Sequence, residues 1–126
     1  MGAITLIVEA TKDIIQSPRP TNGIVPETGF SFPSGHVTST MVFFGILTYL
    51  AWQQWKSAEA KALTATLYIT VEALVGFSRV YLNVHWLSDI LGGYLLGTFW
   101  FTLAIFLSKY LEKAQLKRQP NENIEP

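Results

Sequence analysis

Both histidines of the chain fall within short strings whose residue types could hold a phosphoryl group and displace its ester. The strings are Lys12-x6-Arg19-Pro20, then Pro33-Ser34-Gly35-His36, then Ser78-Arg79-x5-His85-x3-Asp89. His85 and Asp89 are four residues apart, so on one helix they share a face. The carboxylate can then hold one ring nitrogen while the other faces a substrate, which makes a nucleophile or a base. A lone pair of this kind is more often a surface hydrogen bond. An Asp just inside an apolar run is costly, however, and calls for a partner, for which His85 is the nearest candidate. Arg79 brings a planar fork suited to phosphate and a charge that does not titrate away. Lys12 and Arg19 add two cations that, taken alone, would be an ordinary solvated pair. Pro33-Ser34-Gly35 suits a helix N-terminus, whose free amides point at any anion beyond the helix end. Without a histidine, a capped helix start with no ligand would be the better reading. His36 changes that, because an ionisable ring at a helix mouth can carry a proton to a leaving oxygen.

These residues need elements to hold them, and the pattern supplies helices. Residues 37–55 carry no charge, residues 87–108 carry only Asp89, and residues 62–77 form a shorter apolar run that contains Glu72. At about 1.5 Å per residue, roughly 20 residues cross a hydrocarbon core about 30 Å thick. The expected fold is therefore an all-α membrane helical bundle with three transmembrane helices and a short N-terminal helix, all in one domain of 126 residues. Its parts are a helix stub at 1–11, an active-site loop at 12–36, the three spans and a polar cytoplasmic tail at 109–126. The loop assignment rests on Pro18, Pro20, Pro26 and Pro33 with Gly23, Gly29 and Gly35. A soluble helical domain with long core helices is the alternative. The chain has no cysteine, so a disulfide framework and a thiolate metal site are both excluded.

Alternating spans place Lys12, Arg19 and Arg79 on one side. Lys56, Lys61, Lys109, Lys113, Lys117 and Arg118 fall on the other, which the positive-inside rule makes cytoplasmic. The chemistry is thus expected to face outward. Glu72, seven residues before Arg79, is a buried carboxyl hydrogen-bonded to a neighbouring helix or, alternatively, a polar spot on a helix face or a group that meets the substrate directly, of which the first is preferred. Gly93-x3-Gly97 offers a close packing face, used within the chain or for self-association.

Together the three strings resemble the signature of the type 2 phosphatidic acid phosphatase superfamily, integral-membrane lipid phosphatases that share their site with bacterial acid phosphatases and vanadium haloperoxidases. Every signature position is filled: Lys12, Arg19, Pro20; Pro33, Ser34, Gly35, His36; Ser78, Arg79, His85, Asp89. The resemblance implies a phosphatase that needs no metal or cofactor and acts on a phosphate monoester or pyrophosphate of a lipid. Phosphatidate, phosphatidylglycerol phosphate and polyprenyl pyrophosphate are the substrates it suggests. His85 would form a phosphohistidine, oriented by Asp89, and His36 would protonate the leaving oxygen. Lys12, Arg19, Ser34, Gly35 and Arg79 would hold the phosphate. The expected setting is a bacterial cytoplasmic membrane, with no nucleic-acid partner. Members of the family usually have six spans, and this chain resembles the second half. A non-catalytic membrane fragment that keeps a phosphate pocket is therefore an alternative reading, and a vanadate-dependent haloperoxidase a further one.

Overall fold

The computed structural model describes residues 2–118, and all of its regular elements are helices: α1 (Gly2–Ile15), α2 (Gly35–Gln54), α3 (Ala58–Tyr81) and α4 (Leu87–Arg118). α2 is the central element and packs against each of the other three. Its neighbour α4 approaches closely because glycines replace side chains at the contact. A Cβ on Gly93 would stand 3.0 Å from Val37, and one on Gly97 would stand 2.6 Å from Met41. The small-residue face seen in the sequence is therefore occupied by α2 of the same chain.

The bundle is polar inside at one end and apolar outside along its length. Buried at that end are Ser31, Ser34, Thr38, His85 and Asp89, with Glu72 buried deeper on α3. Leu63, Leu67, Leu74 and Phe77 of α3 are exposed, and so are Leu91, Leu95, Phe99 and Phe106 of α4. These recur at spacings of three, four or seven residues and so share one face of each helix, the arrangement expected when the surrounding medium is hydrocarbon. α3 and α4 are both long and apolar enough to cross a membrane. α2 has the length and no charge, with polar groups near both ends in Thr38, Ser39, Thr40, Gln53 and Gln54. From composition and length, 62–77 is the weakest span. α3 instead extends that run at both ends, capped at its start by the Ser57 hydroxyl on the Ala60 amide.

Further boundaries fall differently from expectation: α2 begins at Gly35, inside the loop expected at 12–36. α1 continues to Ile15, so Lys12 projects from the last turn of a helix and the loop begins at Gln16, whose left-handed backbone ends the helix. α4 continues well past residue 108, and residues 119–126 of the polar tail lie outside the described residues. The loop between α1 and α2 is laid onto the α3–α4 turn. Ile24 N–H donates to the Leu82 carbonyl, Asn83 Nδ2 to Asn22 and Trp86 Nε1 to Pro18. Asn83 takes the left-handed conformation that Asn tolerates, and this turns the chain from α3 into Val84 and His85.

Candidate active site

The three strings meet at one end of the bundle around an open cavity of about 320 Å³. α1 supplies Lys12, the loop supplies Arg19, the first turn of α2 supplies Gly35 and His36, and the α3–α4 turn supplies His85. Ser34 and Asp89 are fully buried, joined by a 3.0 Å bond from the Ser34 amide to the Asp89 carbonyl. Arg79 is not part of the cavity wall.

His85 and Asp89 do pair, but not across one helical face. His85 sits two residues ahead of α4, and Asp89 is in its first turn. One carboxylate oxygen, Oδ2, accepts the Trp86 amide at 2.8 Å and lies 3.3 Å from His85 Nδ1. Asp89 therefore caps the helix and holds the ring with the same atom. With Nδ1 committed to the carboxylate, Nε2 is the nitrogen left for the cavity. His85 is held below its ordinary value, chiefly by burial and also by the charge of Arg19, against the opposing pull of Asp89. A neutral ring with a lone pair on Nε2 is the form that can attack phosphorus.

His36 opens α2. The first intrahelical bond runs from Thr38 N–H to the Ser34 carbonyl, so the amides of Gly35, His36 and Val37 have no acceptor within the helix. Ser34 makes no side-chain cap, and its Oγ is buried without a partner. The His36 ring is also lowered, first by burial and then by Arg79, Lys12 and Arg19, with Glu27 acting the other way. Three cations thus converge on this ring. A phosphate dianion in the cavity would offset them and favour the protonated ring.

The two arginines differ in what they hold. Arg19 donates from Nε to Gly29, from Nη1 to Val84 and from Nη2 to Thr28, all backbone carbonyls, and its Nη2 is 3.6 Å from Glu27. Val84 immediately precedes His85, so Arg19 fastens the loop to the backbone beside that ring. Arg79 donates only from Nε, to Ser78 Oγ at 3.2 Å, and its terminal nitrogens have no acceptor among the described residues.

The cavity also contains residues that no motif in the sequence marks. Thr5, Val8 and Glu9 lie on the face of α1 that carries Lys12, and Glu9 pairs with Lys12 at 3.3 Å. Ser39 and Thr40 follow His36 by three and four residues, a spacing that could have identified them. Glu27 reaches the cavity from within an irregular loop, and no periodicity announces it. Glu72 has the expected bond to a neighbouring helix, its Oε2 accepting from the Thr40 hydroxyl of α2 at 3.1 Å.

Comparison with known proteins agrees with this geometry. Residues 1–113 match the model of the PAP2 superfamily. Phosphatidylglycerophosphatase B of Bacillus subtilis is 34% identical over 104 residues, which cover 81% of this chain and 51% of that protein. An undecaprenyl-diphosphatase of Sulfolobus acidocaldarius is 34% identical over 113 residues, covering 82% of this chain and 48% of that protein. The crystal structure of a transmembrane PAP2-type phosphatidylglycerolphosphate phosphatase from Bacillus subtilis superposes with a TM-score of 0.79 at 32% identity, over 86% of this chain and 55% of that one. The chain thus spans about half the length of the curated relatives it matches. With the signature residues gathered at one bundle end and the match extending over residues 1–113, the chain belongs to the PAP2 superfamily.

Proposed function

We propose that the chain is a membrane lipid phosphatase that hydrolyses a phosphate monoester or pyrophosphate through a phosphohistidine, without a metal. The observation that carries this reading is His85, fixed through Nδ1 by a buried carboxylate and opening into a cavity that Lys12, Arg19 and the start of α2 also line. Nε2 of His85 attacks phosphorus as the bond to the ester oxygen breaks, and His36 gives its proton to that oxygen. Water then attacks the phosphohistidine, and neutral His36 takes the proton from the water, which returns both rings to their starting state. Lys12 and the Gly35 amide, which line the cavity, hold the nonbridging oxygens, where charge is stabilised during transfer; the free fork of Arg79 and the Ser34 hydroxyl lie outside the cavity wall and join them once substrate draws them in.

The substrate class rests on the apolar faces of α3 and α4 beside the cationic cavity, and on relatives named for phosphatidylglycerophosphate and undecaprenyl diphosphate. Six basic residues at the opposite end of the bundle support an active site on the outer side. The test is phosphate release from phosphatidylglycerophosphate and from a polyprenyl pyrophosphate, in detergent with a chelator, by the wild type and His85→Ala. Release by the wild type alone, with an acid-labile phosphoenzyme trapped on quenching, is expected. The alternative reading is a membrane module that binds phosphate without turnover. A folded wild type that binds orthovanadate yet releases no phosphate would select it.

A further inference from the structure

Glu72 is a carboxyl that the phosphatase reaction does not use. It lies on α3, only 5% exposed, and its Oε1 is buried without a partner. Its Oε2 is 3.1 Å from Thr40 Oγ1, and that hydroxyl is also 3.0 Å from the His36 carbonyl and 3.2 Å from that of Val37. A hydroxyl has one hydrogen to give, so Glu72 competes with these two carbonyls of the α2 backbone for it and thereby biases the Thr40 side chain. Thr40 lies one turn beyond His36 and lines the same cavity. The backbone carbonyl of Glu72 accepts the Tyr94 hydroxyl of α4 at 2.7 Å. One residue thus ties α3 to α2 through its side chain and to α4 through its backbone, directly beneath the first turn of α2. The other polar ties between α2 and α3, Tyr68 to Met41 and Trp52 to Lys61 and Thr64, lie farther along the helices from His36.

A carboxyl in apolar surroundings is costly, and packing alone would be served better by leucine. We propose that Glu72 is a positioning residue for the phosphatase reaction set out above, fixing the first turns of α2 through Thr40 and thereby aiming the His36 ring at the leaving oxygen. The bond forms in either charge state: an ionised carboxylate accepts the Thr40 hydroxyl, and a carboxylic acid donates to it and leaves that hydroxyl to the His36 carbonyl. A glutamine can do the same. The inference depends on His36 being the acid of the reaction, so its signature is a dependence on the leaving group.

The test compares Glu72→Leu, Glu72→Gln and Thr40→Val on dioctanoyl phosphatidate and on p-nitrophenyl phosphate. An alkoxide needs a proton to leave, whereas p-nitrophenolate does not. Glu72→Leu is expected to lower kcat on the alkyl ester about 10–100-fold and on the aryl ester less than about threefold, with KM nearly unchanged. Thr40→Val should show the same selectivity, the double variant should be no worse than either alone, and Glu72→Gln should restore the alkyl rate. An equal loss on both esters, or no loss on either, overturns the proposal. A second measurement does not depend on turnover. The chain has two histidines, so its ¹⁵N-imidazole spectrum in detergent contains two rings. Glu72→Leu should displace the His36 signals and leave those of His85 in place. Because Arg79, Lys12, Arg19 and Glu27, the charges that act on His36, are unchanged, such a shift reports position. If the wild type turns over neither ester, the phosphatase reading fails by itself. Unmoved His36 signals in Glu72→Leu refute the role of Glu72 in either case.

Discussion

Replacing Arg19 by lysine should destabilise the fold, because the guanidinium holds three backbone carbonyls that an ammonium cannot span. Nε and Nη1 donate at 3.0 Å to Gly29 and Val84, and Nη2 donates at 3.2 Å to Thr28. The bond to Val84 is partly buried and those to Gly29 and Thr28 are exposed. A hydrogen bond from a charged donor is worth about 1.5–3 kcal/mol, and exposed ones fall well below that. A lysine reaches one of the two exposed acceptors, so the part-buried Val84 bond and one exposed bond are lost and Arg19→Lys should cost about 2–4 kcal/mol. The assay is reversible unfolding in mixed micelles followed by tryptophan fluorescence. Trp86, whose Nε1 donates to Pro18 one residue from Arg19, reports on this region. In parallel, loss of the Val84 anchor should displace His85 and lower kcat more than it raises KM. If Arg19 served only to bind phosphate, Arg19→Lys would leave unfolding within about 0.5 kcal/mol of wild type and act mainly on KM. That result would refute the structural assignment of this arginine.

Three further outcomes follow from the same geometry. Asp89→Asn keeps the size of the side chain but removes the charge that holds His85 Nδ1–H. We expect kcat to fall about 10³–10⁴-fold with the fold retained, and a loss below about tenfold would show that the ring needs no carboxylate. Gly93→Val puts a branched side chain where a bare Cβ already stands 3.0 Å from Val37 and 3.1 Å from the Ser34 carbonyl. It should destabilise by about 1–3 kcal/mol and spread the mouth of α2, and unchanged melting would contradict the close approach of α2 and α4. The histidines make stability depend on pH. Both are held below the ordinary 6.5, so as pH falls through that value the unfolded chain takes up protons that the folded chain does not, and stability declines. Melting temperature in detergent should therefore drop on the acid side of about pH 6.5, and His36→Gln should flatten the slope. A flat wild-type profile there would rule out the lowered values.

Much of the site was legible because its residues fall at fixed spacings next to apolar runs. That a helix opens near Gly35 could be read from Pro33 and Ser34, although the expected loop of 12–36 overran its start by two residues, and the convergence of the strings at one bundle end followed from alternating spans. Other features depend on tertiary contacts. Arg19 and Arg79 look alike in sequence, and only the fold shows that one fastens backbone while the other keeps a free fork. His85 and Asp89 satisfy a four-residue spacing, yet they pair across a helix start, because Asp89 also caps the Trp86 amide. Gly93 and Gly97 could have served another chain, and their neighbours Val37 and Met41 show that α2 takes that place. Glu27 reaches the cavity by the course of a loop without a repeat, so nothing local could signal it.

Fold and chemistry meet most closely at Asp89. Its Oδ2 caps α4 and orients His85, and its carbonyl receives the amide of Ser34, the residue that opens α2. The His85 ring, the nucleophile of the proposed reaction, and the helix mouth that faces it are therefore set by one buried residue at the α2–α4 contact, the most extensive contact in the bundle. That contact is close because Gly93 and Gly97 carry no side chains. A lipid surface then does for the outside of the molecule what a core does for a soluble protein. The apolar stripes of α3 and α4 need no covering, so the limited interior can be given over to Ser34, His85 and Asp89. A soluble protein of this size would need that interior for aliphatic packing. On the proposed function, the polar interior and the apolar surface are two consequences of one requirement, that a charged phosphate be held beside hydrocarbon.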